Sequence, residues 1–424
     1  GTAPGYYDLE ELLLSCAQAV SRYDIKKAKE LLEELHQLGA SPIGRTGLHR
    51  MAFYFCQALE ARINGCGSAL YAATLARDIK VSTADTIRAL KAVFETSHPI
   101  KISHFLANQS IADVTRGCSH VHIINYGIAY GIQWTYVIKA LSEREGGPPY
   151  LVITGVDFPK PGADDPAVTV KETGRRLAEY ARTWKVPFQY HPVASSKWEE
   201  LDAESLRINP TWRRSQTALV VSSMKRLREI PEESTLQDQN ALLHGCGGRR
   251  KSTMSPRQKL LCRICSFKPD LFVLGVANAG YNVPIFTTRF KEALQYYSSI
   301  YDMLDASTTA GDSPERMLVE RRILARGIVN VVACEGVDRV ERPETYRHWQ
   351  ARMERAGFQQ LPLPPTLLAR STAYVRKRYH PDCTVFEERG SPWLLVGWRG
   401  RTFVALSTWK PLATWNLSNG LVTT

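Results

Sequence analysis

No apolar run in this 424-residue chain approaches the ~18 residues that a membrane-spanning helix needs. The opening residues also lack the charged-then-apolar pattern of a secretory leader. Low-complexity tracts are missing, so order is expected almost throughout. Three catalytic signatures are absent as well: the G-x-S-x-G elbow, the Walker phosphate loop and the H-E-x-x-H zinc helix. No arrangement of nucleophile and base stands out in their place. Cysteine is sparse, at nine residues, and its odd, scattered placement in mostly apolar runs reads as reduced core thiols. Together these absences predict a soluble intracellular protein, with nucleus and cytoplasm both open.

Negative charge is also in deficit. Asp and Glu number 42 against 54 Lys and Arg, giving +12 and a pI near 9.2. That excess favours an anionic partner such as nucleic acid, or a solvated basic surface with no such partner. At 44% hydrophobic and 23% charged, the composition is that of a globular protein with a large core, in one large domain or two to three smaller ones. The start at Gly1, with a helical pattern close behind, predicts a flexible N-terminal segment upstream.

The first 110 residues read as helices. Leu9, Leu12, Leu13, Cys16, Ala17 and Val20 recur at helical spacing behind a possible Asp8/Glu11 capping box. Asp24 is placed to cap a second helix that Gly39 ends, and a third runs from about Leu48 to Ile63, with further segments over 67–78 and 83–108. After residue 120 the pattern changes. "VHIIN" (121–125), "YLVITGVD" (150–157), "FQYHPV" (188–193), "ALVVSS" (218–223) and "LFVLGV" (271–276) read as strands, with helices near 131–142, 169–185 and 255–267. This alternation predicts an α/β fold with a mainly parallel, doubly wound sheet. A long helical stretch over 285–326 interrupts it, "IVNVVAC" (328–334) reads as a further strand, and "CTVFEE", "WLLVGW" and "TFVALSTW" predict a closing antiparallel hairpin. A parallel sheet closed in this way is the plan of class I methyltransferases.

Four groups of residues invite chemistry. In "VHIINYGIAYGIQW" (121–134), Gly127 and Gly131 form a glycine turn between strand and helix, as in nucleotide and S-adenosylmethionine sites. The strand ends on uncharged Asn125, which leaves Asp157, at the end of the next strand, to hold a ribose hydroxyl; a glycine turn is also simply how a strand meets a helix. His244, Cys246, Cys262 and Cys265 could supply four zinc ligands, but Cys262 and Cys265 share the apolar face of an amphipathic helix and read better as core. The charges of "EGVDRVERPE" (335–344) alternate in sign, which favours structural ion pairs over acid/base work. Basic clusters at Arg213/Arg214, Lys225/Arg226/Arg228, Arg249/Arg250/Lys251, Arg321/Arg322/Arg326 and Arg376/Lys377/Arg378 are candidates for phosphate contact, though no DNA-binding motif accompanies them.

In order along the chain, these segments resemble the plant GRAS domain family of transcriptional regulators, with wording nearest the scarecrow-like branch. "LEELLLSCAQAV" is similar to its first leucine-rich region, and Val121, His122, Ile123, Ile124 and Asn125 to its V-H-I-I-D motif. "KETGRRLAEYARTWKVPFQY" resembles the second leucine-rich region. Pro284, Glu341 and Arg342 fall in a P-F-Y-R-E-like region, and Trp349 to Gly357 and Trp398 to Trp409 in an S-A-W-like region. Departures include Asn125 in place of Asp, Thr135 in place of Pro, Ile285, Thr287, Ser222 and Ser223, and an apparent insertion, "HGCGGRRKST".

The resemblance implies one domain over 1–424, with a helical cap from 1–110 and 285–326 on an α/β core over 111–424. It further implies a nuclear, non-enzymatic regulator that requires no cofactor, contacts DNA directly or through a partner transcription factor, and forms homo- or heterodimers with other GRAS proteins. Two other readings are a methyltransferase-like enzyme using S-adenosylmethionine through Gly127, Gly131 and Asp157, and a small-ligand sensor without turnover.

Overall fold

The structure, a computed structural model, describes residues 8–77, 82–96, 98–210, 216–232, 254–307, 314–378, 380–388 and 390–413. Its centre is a nine-stranded sheet: β1 (His120–Tyr126), β2 (Tyr150–Asp157), β3 (Phe188–Ala194), β4 (Thr217–Met224), β5 (Leu271–Ala277), β6 (Phe358–Leu361), β7 (Cys383–Glu388), β8 (Ser391–Trp398) and β9 (Arg401–Pro411). The spatial order is β3-β2-β1-β4-β5-β9-β8-β7, with β6 paired to the end of β9. The first five strands run parallel and β9 lies antiparallel to β5. The order reverses at β1 and β4, so the carboxyl ends of these two strands flank the crevice where doubly wound sheets place ligands.

Alternation along the strands fills both faces. Val121 and Ile123 of β1 enter one core, while Ile124 and Tyr126 enter the other. All seven residues of β5 are buried, as expected of a strand covered on both sides. The second face is closed by α9 (Pro256–Ser266), α13 (Tyr346–Arg355) and the side chains of Trp198, Trp349, Trp393 and Trp409.

The first face carries the helical layer. It consists of α1 (Asp8–Ser21), α2 (Ile25–Gln37), α3 (Gly47–Ile63), α4 (Gly67–Arg77), α5 (Thr83–Thr96) and α6 (His98–Val114), joined by α10 (Phe286–Ser307), α11 (Pro314–Val319), a π-helical turn (Glu320–Leu324) and α12 (Ala325–Ala333). Asp24 caps α2 as its sequence suggests, accepting from the Lys27 N–H at 3.0 Å. Arg50 of α3 locks this layer, its Nε donating to both Glu320 carboxylate oxygens (3.1 and 3.0 Å) and its Nη2 to Asp305 Oδ1 (2.5 Å). Burying that cation requires this degree of pairing.

Two expectations are corrected. Residues 328–334 belong mostly to helix α12, not to a strand. Ile328, Val329, Val331 and Val332 are all buried there, and this β-branched run reads as a strand despite the helical spacing of Arg326 and Asn330. The expected closing hairpin is larger, a three-stranded β7-β8-β9 meander with β6 added.

Candidate functional site

At the end of β1 the chain turns through Gly127 (φ +91°) and Gly131 (φ +67°) into α7 (Ile132–Ser142). Both are left-handed positions that glycine accepts at low cost. The turn is bound by its own protein. The Gly127 and Ile128 N–H groups donate to Val156 O (2.8 and 3.0 Å), and that of Gly131 to Ile128 O (2.9 Å). The Ala129 N–H donates to Asp157 Oδ2 at 2.8 Å, and Thr173 Oγ1 of α8 (Val168–Thr183) donates to Ala129 O at 2.7 Å.

Asp157, the expected ribose holder, is likewise taken. Its Oδ1 accepts from the Phe158 N–H (2.8 Å) and from Arg226 Nη2 (2.7 Å), while Arg226 Nη1 donates to Glu229 Oε1 (2.6 Å). The Arg226 side chain lies over the turn so closely that a Cβ added to Gly127 would collide with its Cβ and Cγ. A cofactor would need the close backbone approach, the free N–H groups and the free carboxylate that this chain fills from within. The residues therefore do not fit S-adenosylmethionine.

Asn125 explains its own departure from Asp. Its Nδ2 donates to Ser222 O (3.0 Å), and its Oδ1 accepts from Trp134 Nε1 (3.1 Å). A carboxylate could accept the second bond but could not donate the first. Within the same strand, His122 accompanies Thr154 Oγ1 at 2.8 Å, and burial, then the neighbouring His191, pushes its pKa down to about 4.

Between the turn and the helical layer lies a cavity of about 320 Å³. Its walls include Leu90 of α5, Ile100 and His104 of α6, Met303 of α10 and Ile323 of the π turn. Lys225 and Arg226, expected at a DNA backbone, line this cavity instead. That placement follows from the tight exit of β4, where Lys225 takes φ +67° and its N–H donates to Gly275 O at 2.7 Å. Burial, then Arg228, pushes the Lys225 ammonium down to about 8. Burial, then Lys225, pushes the His104 imidazole down to about 3.

The remaining family-motif positions are structural. Arg228 pairs with Glu341 at 3.5 Å, and Arg342 donates to the carbonyls of Arg339 (2.9 Å) and Gly336 (2.7 Å). Glu335 pairs with Arg62 (2.8 Å) and with Arg289, whose Nη1 also donates to Pro284 O at 3.1 Å. Trp349 is buried beneath the Arg257 guanidinium, and Gly357 closes α13 at φ +88°. Trp409 donates to Ser407 Oγ at 2.6 Å, and Trp398 to Asp302 of α10 at 2.6 Å, which ties the final strands to the helical layer.

Cys262 and Cys265 are buried on α9, with Sγ atoms directed to Met254 Sδ and Gly357 O. No metal-binding cluster occurs among the described residues, and His244 and Cys246 lie outside them. Arg213, Arg214, Arg249, Arg250 and Lys251 lie outside them too. Arg376 and Lys377 are exposed on the last turn of α14 (Pro365–Arg378), a helix that Arg378 ends.

Fold and site define an α/β protein of methyltransferase-like topology, whose glycine turn is closed by its own side chains and covered by helices. The chain belongs to the GRAS domain family, whose model matches residues 9–410. It is 40% identical over 408 residues to Scarecrow-like protein 34 of Arabidopsis thaliana, covering 95% of this chain and 61% of that relative. It is 32% identical over 407 residues to chitin-inducible gibberellin-responsive protein 2 of Oryza sativa subsp. japonica, covering 95% and 68%. The crystal structure of SCL7 from Oryza sativa superposes with a TM-score of 0.72 at 27% identity, covering 96% of this chain and all of that one. The chain spans about half to two thirds of the length of the Scarecrow-like relatives it matches. No helix among the described residues is long and apolar enough to cross a membrane.

Proposed function

We propose that this chain is the GRAS domain of a plant transcriptional regulator that acts in the nucleus, without turnover, by contacting DNA or DNA-bound partners and by forming homo- or heterodimers. The observation that carries the reading is the Arg226–Asp157 closure of the glycine turn in a member of this family: the position an enzyme would keep open for its cofactor is filled. The net charge of +12 and the exposed Arg376 and Lys377, at the end of α14, support contact with phosphates.

The reading is tested by tethering the chain to a reporter promoter in plant cells through a heterologous DNA-binding domain. Reporter output should change relative to the tether alone, and unchanged output would overturn the regulatory reading. Direct DNA binding is tested separately on the purified chain. Replacing Arg376, Lys377 and Arg378 with Ala should weaken binding alike across sequences. It should also flatten the salt dependence, by roughly one unit of slope for each phosphate the protein no longer neutralises. Unchanged binding would clear this patch of the role.

A further inference from the structure

The cavity above the glycine turn has a composition that transcriptional regulation does not call for. Most of its wall is apolar, with Leu90, Ile100, Met303 and Ile323 contributed by four separate segments. Among its charges, Lys225 is the unusual one. The nearby carboxylates are already engaged, Asp157 by Arg226 and Glu229 by Arg226 and Arg228. Lys225 itself has no ion pair among the described residues, although the cavity takes it partly out of water. An ammonium in apolar surroundings without a counter-ion is costly, and an incoming anion relieves that cost.

Its position is also fixed. The left-handed backbone of Lys225 is pinned by its N–H to Gly275 O (2.7 Å) and by its carbonyl, which accepts from Arg228 Nη1 (2.6 Å). A strained, well-anchored residue that delivers a charge into a cavity is a pattern of binding sites. A second feature points the same way. One wall is the π-helical turn Glu320–Leu324, a distortion that recurs at functional sites, and Ile323 there lines the cavity while 38% exposed.

We propose that this cavity binds a small amphipathic carboxylic acid, with its apolar body against α6 and α10 and its carboxylate on Lys225. The volume of about 320 Å³ is that of roughly ten liquid waters and lies at the small end of ligand pockets. The inference stands whether or not the chain regulates transcription, and its test reads binding alone.

The test is isothermal titration of the full chain with two probes of like shape, 1-naphthoate and the neutral 1-naphthalenemethanol. Naphthoate should bind saturably at one site, about tenfold more tightly than the alcohol, the advantage expected of one charge-assisted hydrogen bond. Lys225→Met should bring the two probes to within about threefold while retaining alcohol binding. Met303→Trp, which fills the cavity, should abolish both. Ile323→Glu, on the partly exposed π turn, should weaken naphthoate several-fold and leave the alcohol unchanged. Absence of saturable naphthoate binding at millimolar concentration would overturn the proposal. So would selectivity that survives Lys225→Met, or binding indifferent to Met303→Trp.

Discussion

Replacing Arg226 with Met isolates the interaction that closes the glycine turn. The guanidinium reaches Asp157 at 2.7 Å and Glu229 at 2.6 Å, with side chains 23%, 13% and 13% exposed. Two unit charges about 4 Å apart interact by roughly 4 kcal/mol at an effective dielectric of about 20. Partial exposure and desolvation remove part of that, and a hydrogen bond to a charged group retains about 1.5–3 kcal/mol net. The Arg226→Met change should therefore cost about 2–4 kcal/mol, since it also leaves Glu229 only its longer contact with Arg228, at 3.9 Å. A double-mutant cycle with Asp157→Asn should give a coupling energy of about 2 kcal/mol. Urea unfolding, followed by circular dichroism and by tryptophan fluorescence with coincident transitions, measures both. A coupling below about 0.5 kcal/mol would refute the reasoning: solvent would then satisfy Asp157, and the turn would be open to a ligand.

Stability should be greatest above pH 6.5 and fall as the pH drops toward 4, because unfolded chains protonate His122 near 6.5 while the folded chain resists protonation to about 4. At pH 5 this residue alone should cost about 2 kcal/mol, with His104 acting in the same direction; urea midpoints of the parent and His122→Gln chains at pH 7 and 5 check it, and an equal fall in both would sink the assignment. Trp398→Ala should cost about 3–5 kcal/mol, since the indole is buried and its N–H is spent on Asp302, whereas Trp398→Phe should cost about 1–2. Equal stability of the Ala variant and the parent in guanidinium titrations would contradict this placement. EDTA should leave the melting temperature unchanged, because the Cys262 and Cys265 thiols pack in the core; a drop of several degrees would instead assign them to a metal.

The strand–helix alternation was legible because β1, β2, β4 and β5 carry short runs of aliphatic and β-branched residues, with glycine turns beside β1 and β2, and the caps of α2 and α3 because Asp24 and Gly65 are local signals. Helix α12 was not, since Ile328 to Val332 are buried all round and their composition favours a strand. The site was half legible. The glycines and Asp157 stand in recognisable places, but the residue that fills them lies 69 positions beyond Asp157. Nothing in "SSMKRLRE" announces that Arg226 turns inward while Arg376 stays outside. The single-residue exit from β4 decides that outcome, and pattern does not reveal it. The same limit hid the cavity, which exists only where α5, α6, α10 and the π turn meet the sheet. The Asn125 substitution reads in the sequence as a loss; in the structure its amide is the group that bridges Ser222 and Trp134.

The place of β9 has a consequence for synthesis. It follows every other strand and helix along the described chain, yet it lies in the interior of the sheet between β5 and β8 and also pairs with β6. On the ribosome, the β5 edge must therefore wait, unpaired and wholly apolar, through the emergence of about 125 further residues before its neighbour arrives. Premature termination anywhere in that interval would leave a translation product with a sticky, open edge, so nonsense alleles between residues 278 and 400 should yield aggregates cleared by quality control and not shortened, partly working proteins.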